Sequence, residues 1–275
     1  MTAPATDERP IAADSSYYNS RLIRRVDLTE SLCYVWVAMD GEPIDFAPGQ
    51  YLTIGVESNG KIVQRPYSVA STPRRAGEGY EYYVRLVDGG LFTPLLWRLP
   101  IGHGLRTIGP KGKFSLEPED DRTHLFISSG TGIAPFMAMM ETLRLDGAPR
   151  RAVLLNGCSY ADELGYRETL ESWQASGDYP VTYVPSISRP NDPRNAGWSG
   201  RIGRAEAVLP DVLDDLGLTA ADTIAYICGN PDMILSAEAI LLDRGFPEPQ
   251  IRKELYWPKG KAPKGPAMGA APEDD

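Results

Sequence analysis

The sequence predicts two unlike domains in succession, an antiparallel β-barrel over residues 16–119 and a parallel α/β domain over residues 120–257. Two observations carry this. Ahead of residue 120 the chain is a series of short β-rich runs separated by Gly, Pro and Asn-Gly punctuation, the pattern of an antiparallel barrel or sandwich. Beyond it, apolar strand-like runs alternate with helical patterns, as in a parallel sheet covered by helices. At 275 residues the chain is long for one core and comfortable for two.

Taken in order, residues 1–15 and 258–275 are rich in Pro, Ala, Gly and charge and read as flexible tails. Barrel strands are expected at CYVWVAM (33–39), YLTIGVE (51–57), YEYYVRLV (80–87) and GLRTI (104–108), with turns at APGQ (47–50) and SNGK (58–61). RPYSVAS (65–71) is an extended segment with Arg65, Tyr67 and Ser71 on one side and Pro66 and Ser68 on the other. By itself it reads either as an edge strand that Pro66 protects from further pairing or as a cofactor seat. A helix is expected at FTPLLWRL, 92–99. In the second half, HLFISS (124–129) leads into GIAPFMAMMETLRL, and AVLLNG (152–157) into ADELGYRETLESW. VTYVPSI (181–187) follows, and TIAYICG (223–229) leads into PDMILSAEAILLDRG.

Composition narrows the function. The 28 Lys and Arg against 37 Asp and Glu give a net charge of −9, which argues against nucleic-acid binding. Cys33, Cys158 and Cys228 are too few and too dispersed for a disulfide framework, a zinc site or an iron–sulfur cluster, so no metal is expected. The N-terminus has neither a basic start nor an apolar run, and nothing approaches the ~20 apolar residues of a membrane span. The expectation is a reduced, cytoplasmic protein without membrane insertion, taken as a monomer.

Three features point to a dinucleotide. At SSGTGIAPF (128–136), Gly130 and Gly132 flank Thr131 and allow a tight turn and close ligand approach, while Pro135 opens a helix whose free N–H groups suit a phosphate. The run is G-x-G-x-x-P, so it meets the usual fingerprint only in part. CGNPDM (228–233) ends the fourth apolar strand with Cys228, Gly229 and Asn230, and ligands of open α/β sheets bind outside such strand ends. Ser188, Arg189 and Arg201 lie beyond the third strand, and no acid directly ends the second; this favours NADP over NAD, since a 2′-phosphate calls for Arg.

In this order RPYS, VDGGLFTPLL (87–96), GPKGKF (109–114), GTGIAP (130–135), SR (188–189), GR (200–201) and CGNPDM resemble the ferredoxin–NADP reductase family, particularly its bacterial ferredoxin/flavodoxin–NADP reductases. FAPGQYLTIGVESNGKIVQRPYS and KELYW (253–257) resemble that branch closely, some members of which end in Tyr-Trp. The resemblance implies an FAD-binding β-barrel followed by a Rossmann-like NADP-binding domain. It implies that Arg65 pairs with the FAD pyrophosphate, Tyr67 stacks on the isoalloxazine and Ser68 lies near flavin N5, with Pro66 between them. Val84, Arg85 and Leu86 would flank the flavin, and Gly90, Leu91 and Thr93 would form a second phosphate contact. Cys228 would sit beside the nicotinamide, Tyr256 against the other flavin face and Trp257 at the adenine, with Glu254 supplying a proton near N5. Tyr256 would have to move for the nicotinamide to stack.

Two departures stand out. Relatives often place an Arg just after the second α/β strand where this chain has Ser159, and 18 residues follow Trp257 where those relatives end. The implied activity is hydride exchange between NADP(H) and FAD with single-electron exchange to an acidic ferredoxin or flavodoxin. Arg21, Arg24, Arg25, Arg74, Arg75, Arg252 and Lys253 are candidates for docking that partner. The alternatives are a flavin or oxygenase-component reductase of the same fold, and a non-catalytic flavin-binding redox sensor.

Overall fold

The structure is a computed structural model and describes residues 8–116 and 120–255. Six strands build the first domain: β1 (Ser20–Thr29), β2 (Leu32–Met39), β3 (Tyr51–Ser58), β4 (Lys61–Ser68), β5 (Tyr80–Arg85) and β6 (Gly104–Lys111). They pair antiparallel in the order β4-β3-β6-β1-β2-β5. The sheet curls until its edges approach, where the Ala70 N–H donates to the Glu81 carbonyl at 2.8 Å. Strand alternation turns Leu22, Val35, Val37, Leu52, Ile54, Val56 and Val84 into a common core, each fully buried. Burial of one such side chain contributes about 1.5–3 kcal/mol.

The SNGK turn closes the β3–β4 hairpin as its sequence dictates. Asn59 and Gly60 both take positive φ, 53° and 70°, the conformation that a two-residue turn matching strand twist demands. Elsewhere boundaries move. β5 stops at Arg85, two residues short of the expected Val87, because the Val87 N–H turns to the Thr93 hydroxyl at 2.9 Å. FTPLLWRL forms only one α-turn, α1 (Thr93–Leu96), before Pro100 ends the coil.

The second domain contains β7 (Thr123–Ser129), α2 (Ala134–Leu145), β8 (Ala152–Cys158), α3 (Arg167–Ser176) and β9 (Val181–Ile187). It continues through β10 (Arg201–Ile202), α4 (Ala205–Leu216), β11 (Thr223–Cys228), α5 (Pro231–Asp243) and β12 (Ile251–Glu254). All strands are parallel, in the order β10-β9-β8-β7-β11-β12. The chain winds outward from β7 through β9 and then returns to lay β11 on the other side of β7. The strand order therefore reverses between β7 and β11, where open α/β sheets bind ligands.

Both faces of this sheet are covered. Leu125, Ile127, Val153 and Leu155 pack against Val208 and Leu209 of α4 and Met233 and Ile234 of α5. The opposite face packs Phe126, Leu154 and Tyr226 against Phe136 and Met140 of α2 and Leu170 of α3, joined by Leu32, Tyr83 and Phe114 of the barrel. The domains thus share one core.

Polar contacts seal that junction and shorten a helix. α3 begins at Arg167, not at the expected 161, because Gly165 lies against the Tyr83 ring and Tyr166 takes a left-handed φ of 61°. A Cβ at Gly165 would stand 2.6 Å from that ring. The Tyr166 N–H donates to the Tyr34 hydroxyl at 2.9 Å, and the Tyr166 hydroxyl to Glu81 at 2.7 Å. Buried Glu163 accepts both arms of Arg85 at 3.1 and 3.0 Å. A Glu163→Ala variant strands the half-buried Arg85 guanidinium and is expected to lose about 2–3 kcal/mol of stability, read from the urea midpoint. Glu163→Gln, which retains hydrogen-bonding capacity, should lose less.

His124 of β7 is buried among Phe126 and Tyr226. Burial lowers its pKa, with Asp120 opposing. A depressed folded pKa means the unfolded chain binds the proton first, near the ordinary value of about 6.5, so stability should fall as pH drops through that value and level off below the folded pKa. His124→Leu should flatten the stability difference between pH 7 and pH 5. An unchanged slope in urea unfolding would assign the acid sensitivity elsewhere.

No described helix is long and apolar enough to cross a membrane. The described residues hold no cluster of three or more His, Cys, Asp or Glu suited to a metal ion.

Candidate active site at the strand-order reversal

The turns after β7 and β11 are built against each other. Gly130 has φ +52°, and Gly130–Ile133 form a 3-10 turn that runs into α2 with Pro135 in its first turn. A Cβ at Gly132 would stand 2.3 Å from the Cys228 carbonyl oxygen. Gly229, at φ +143°, is equally constrained, since a Cβ there would fall 2.5 Å from Ser129 Oγ. That hydroxyl accepts the Asn230 N–H at 2.9 Å, and the Asn230 side chain caps α5 by accepting from the Asp232 and Met233 amides. Around Gly130 a Cβ would meet nothing within 4 Å, so the carboxyl end of β7 opens onto free space, with Thr131 half-buried beside it.

A hydrogen bond joins the barrel to this crevice. Cys228 and Glu254 are register partners at the ends of β11 and β12. Glu254 Oε2 accepts from Ser68 Oγ, at the end of β4, at 3.2 Å. The Cys228 thiol is buried, and its pKa is pushed well up by that burial and then by the Glu254 charge. Tyr51, paired with Ser68 across the hairpin, is also raised by burial and by Glu254.

Next to Ser68, the half-buried Tyr67 ring leans edge-on against Tyr82 at 6.2 Å and on Phe92 at 5.9 Å. Burial raises its hydroxyl pKa and Arg65 opposes the rise. Half-buried Arg65 donates to the neighbouring Gln64 carbonyl at 2.7 Å. Pro66 is exposed on β4, which is an edge strand of the sheet.

The remaining barrel residues sit as follows. Val84 is in the barrel core, Arg85 is forked onto Glu163, and the Leu86 N–H donates to the Ser31 carbonyl at 2.8 Å. Leu91 is exposed, while the Gly90 carbonyl accepts from Arg9 at 3.1 Å and the Thr93 hydroxyl holds the Val87 amide.

On the outer strands, the Ser188 N–H donates to the Cys158 carbonyl at 2.9 Å. The exposed Arg189 guanidinium lies 5.1 Å from the Tyr160 ring centre, with a hydrogen bond to its hydroxyl. Arg201 is ion-paired with Asp215 at 2.5 Å. The Ser159 carbonyl accepts from the buried Asn195 side chain at 3.1 Å. Asn195 and Tyr160 have no part in the sequence-based site. Asn195 sits in the NDPRN loop, where only its contacts distinguish it from an ordinary turn residue, whereas Tyr160 is legible as an aromatic next to Ser159. Tyr256 and Trp257 lie outside the described residues.

The residues present fit two cofactors. The glycine cradle of Gly130, Gly132 and Gly229 suits a dinucleotide backbone held close to main chain. Arg65, Tyr67 and Ser68 offer, on adjacent positions, a cation for phosphate, an aromatic ring for a fused ring system and a hydroxyl.

Comparisons with known proteins agree. Residues 21–116 match the oxidoreductase FAD-binding domain and residues 126–239 the oxidoreductase NAD-binding domain. Ferredoxin–NADP reductase B of Sorangium cellulosum is 30% identical over 79% of this chain and 88% of its own length. The phenol hydroxylase P5 protein of Acinetobacter pittii is also 30% identical, over 87% of this chain but 65% of its own length. A ferredoxin–NADP+ reductase from Neisseria gonorrhoeae, solved with bound FAD and NADP, shares the fold at TM-score 0.74 with 23% identity, over 87% of this chain and 99% of that one. The chain belongs to the ferredoxin–NADP reductase family and is an oxidoreductase built to bind FAD and a nicotinamide dinucleotide.

Proposed function

We propose that this protein exchanges electrons between NADP(H) and a one-electron protein carrier, a ferredoxin or flavodoxin, by way of FAD. The Ser68–Glu254 hydrogen bond carries the reading, because it brings a hydroxyl from the flavin-side barrel and a carboxylate from the dinucleotide-side sheet to one point beside Cys228. Bound FAD supplies the conversion between two-electron and one-electron transfer. The residues supply position and proton control. Arg65 holds the FAD pyrophosphate and Tyr67 supports the ring, with Gly90 and Thr93 shaping a second phosphate contact. Backbone at Val84, Arg85 and Leu86 borders the flavin, and Leu91 lies between Gly90 and Thr93 on the FAD side. Gly130, Thr131, Gly132, Gly229 and Asn230 cradle the dinucleotide, with Cys228 beside the nicotinamide. Ser159, Ser188, Arg189 and Arg201 receive the adenosine end. Ser68 and Glu254 hold and move the proton at flavin N5.

Anaerobic mixing with NADPH and with NADH tests this, followed by a challenge with ferredoxin, flavodoxin and free flavin. Rapid bleaching by NADPH and reoxidation by a protein carrier is the expected result; reoxidation by free flavin alone would refute the carrier. The relatives named as oxygenase components favour a second reading, delivery to an oxygenase through a separate ferredoxin. The phenol hydroxylase P5 protein is one, and an Amycolatopsis cytochrome P450 reductase is similar at TM-score 0.73 and 26% identity over 86% of this chain and 68% of that one. Absence of bleaching by either nucleotide would leave the redox-sensor alternative.

The docking cations need revision. Arg21, Arg25, Arg74, Arg75 and Lys253 are each ion-paired within the chain, to Asp40, Asp27, Asp146, Glu141 and Glu238, which spends their charge internally. Lys111 and Lys113 are exposed with no carboxylate partner among the described residues, and they flank Gly112, where a Cβ would lie 3.5 Å from Glu254. Reversing both to Glu is expected to slow transfer to an acidic carrier about tenfold at low salt and to flatten its salt dependence. Turnover with a small uncharged quinone should not change.

A further inference from the structure

Asn195 is 3% exposed and ends the short 3-10 turn Pro193–Asn195 beyond β9. Its side-chain amide joins two loops at the carboxyl edge of the sheet. Nδ2 donates to the Ser159 carbonyl at 3.1 Å and to the Arg189 carbonyl at 2.7 Å. Oδ1 accepts the Ala161 N–H at 2.8 Å. The first and third of these bracket Tyr160 on either side, and the second anchors the backbone of Arg189.

What they hold is a cationic corner. The Arg194 guanidinium lies 3.7 Å over the Tyr160 ring and that of Arg189 lies 5.1 Å from it. Arg194 is committed to Asp162, with contacts of 2.6 and 3.1 Å, and Arg201 to Asp215. Arg189, by contrast, has no carboxylate partner among the described residues and keeps its charge for an incoming anion. Its direction is set by the Tyr160 hydroxyl and ring at one end and by Asn195 at the other.

We propose that Asn195 is a positioning residue for recognition of a 2′-phosphorylated adenosine ribose, acting through Tyr160 and Arg189. This rests on the NADP(H) reading of the site. An arginine offers a phosphate two parallel donors only if its plane is held, so loosening its support should remove selectivity for the phosphate and spare the rest of the dinucleotide. A purely structural role would weaken both nucleotides alike.

The test uses the FAD-loaded protein and its near-isosteric variant Asn195→Asp, which loses both donor contacts, beside Asn195→Ala. Affinity for adenosine 2′-monophosphate is measured by calorimetry, and KM and kcat for NADPH and NADH with a quinone acceptor. Both variants should bind adenosine 2′-monophosphate at least about tenfold more weakly and raise the NADPH KM similarly, with kcat and the NADH KM within about twofold. The exposed Arg189→Ala variant should show the same loss, and adding Asn195→Ala to it should cost little more, as expected for residues acting as one unit. Equal losses for NADPH and NADH, unchanged binding of adenosine 2′-monophosphate, or additive effects would overturn the role. Failure of the unaltered protein to bind adenosine 2′-monophosphate would instead overturn the NADP(H) reading and this inference with it.

Discussion

A Gly132→Ala variant is expected to lose nicotinamide-dependent turnover while keeping its flavin. The added Cβ would stand 2.3 Å from the Cys228 carbonyl oxygen and 2.6 Å from Gly229 Cα. Both are main-chain atoms, so no side chain can swing aside, and the turns after β7 and β11 must part. Overpacking of this kind costs about 1–3 kcal/mol of stability. The functional loss should be larger than that suggests, because the displaced turns are the dinucleotide cradle itself. The expectation is an NADPH KM raised by at least about tenfold in stopped-flow bleaching, with retained flavin absorbance. Gly130→Ala is the control for crowding: a Cβ there meets nothing within 4 Å, so its penalty comes from φ +52° alone. Equal NADPH KM values in Gly132→Ala and the unaltered protein would remove the crevice from the nucleotide site.

Glu254→Gln is expected to slow reoxidation of the reduced flavin by the protein carrier about a hundredfold at neutral pH, since the proton at N5 must leave in that half-reaction. This is within the usual range for a positioned proton-transfer group, about a hundred- to ten-thousandfold. Gln retains the shape and still accepts from Ser68 Oγ, now 3.2 Å away, but it cannot take up or release a proton at that pH. Ser68→Ala removes the other end of the same hydrogen bond and should slow the step comparably. The double variant should be little slower than either single one if the pair works as a relay. Independent multiplication of the two effects would separate the residues. Tight flavin retention in all three would show that the change lies in the chemical step.

Much of this molecule is legible from its residues. Apolar runs such as HLFISS and TIAYIC read as buried parallel strands because both faces of that sheet are covered, and they recur as β7 and β11. SNGK reads as a hairpin because only Asn and Gly enter left-handed backbone cheaply. β1 is harder to read: a register shift between Leu22 and Arg24 breaks its alternation, and it leaves Ile23, Val26 and Leu28 exposed. α4 carries Pro210 inside it, and β10 is two residues long, so neither gives a clean periodic signal.

The glycine turns and the alternating strands and helices determined the fold class without coordinates, because backbone freedom and periodicity are local properties, whereas the flavin was implied by the family resemblance that the ordered motifs carry. Which charges remain available was decided only in three dimensions. Arg21 and Arg74 look like Lys111 in a sequence, yet each is neutralised by an aspartate, 19 residues away for Arg21 and 72 for Arg74. Likewise Ser68 and Glu254 become one unit across 186 residues, and Asn195 acquires its partners from two separate loops. A hydrogen bond or ion pair depends on distance in space, and that is set by how the barrel and the parallel sheet close on their shared core.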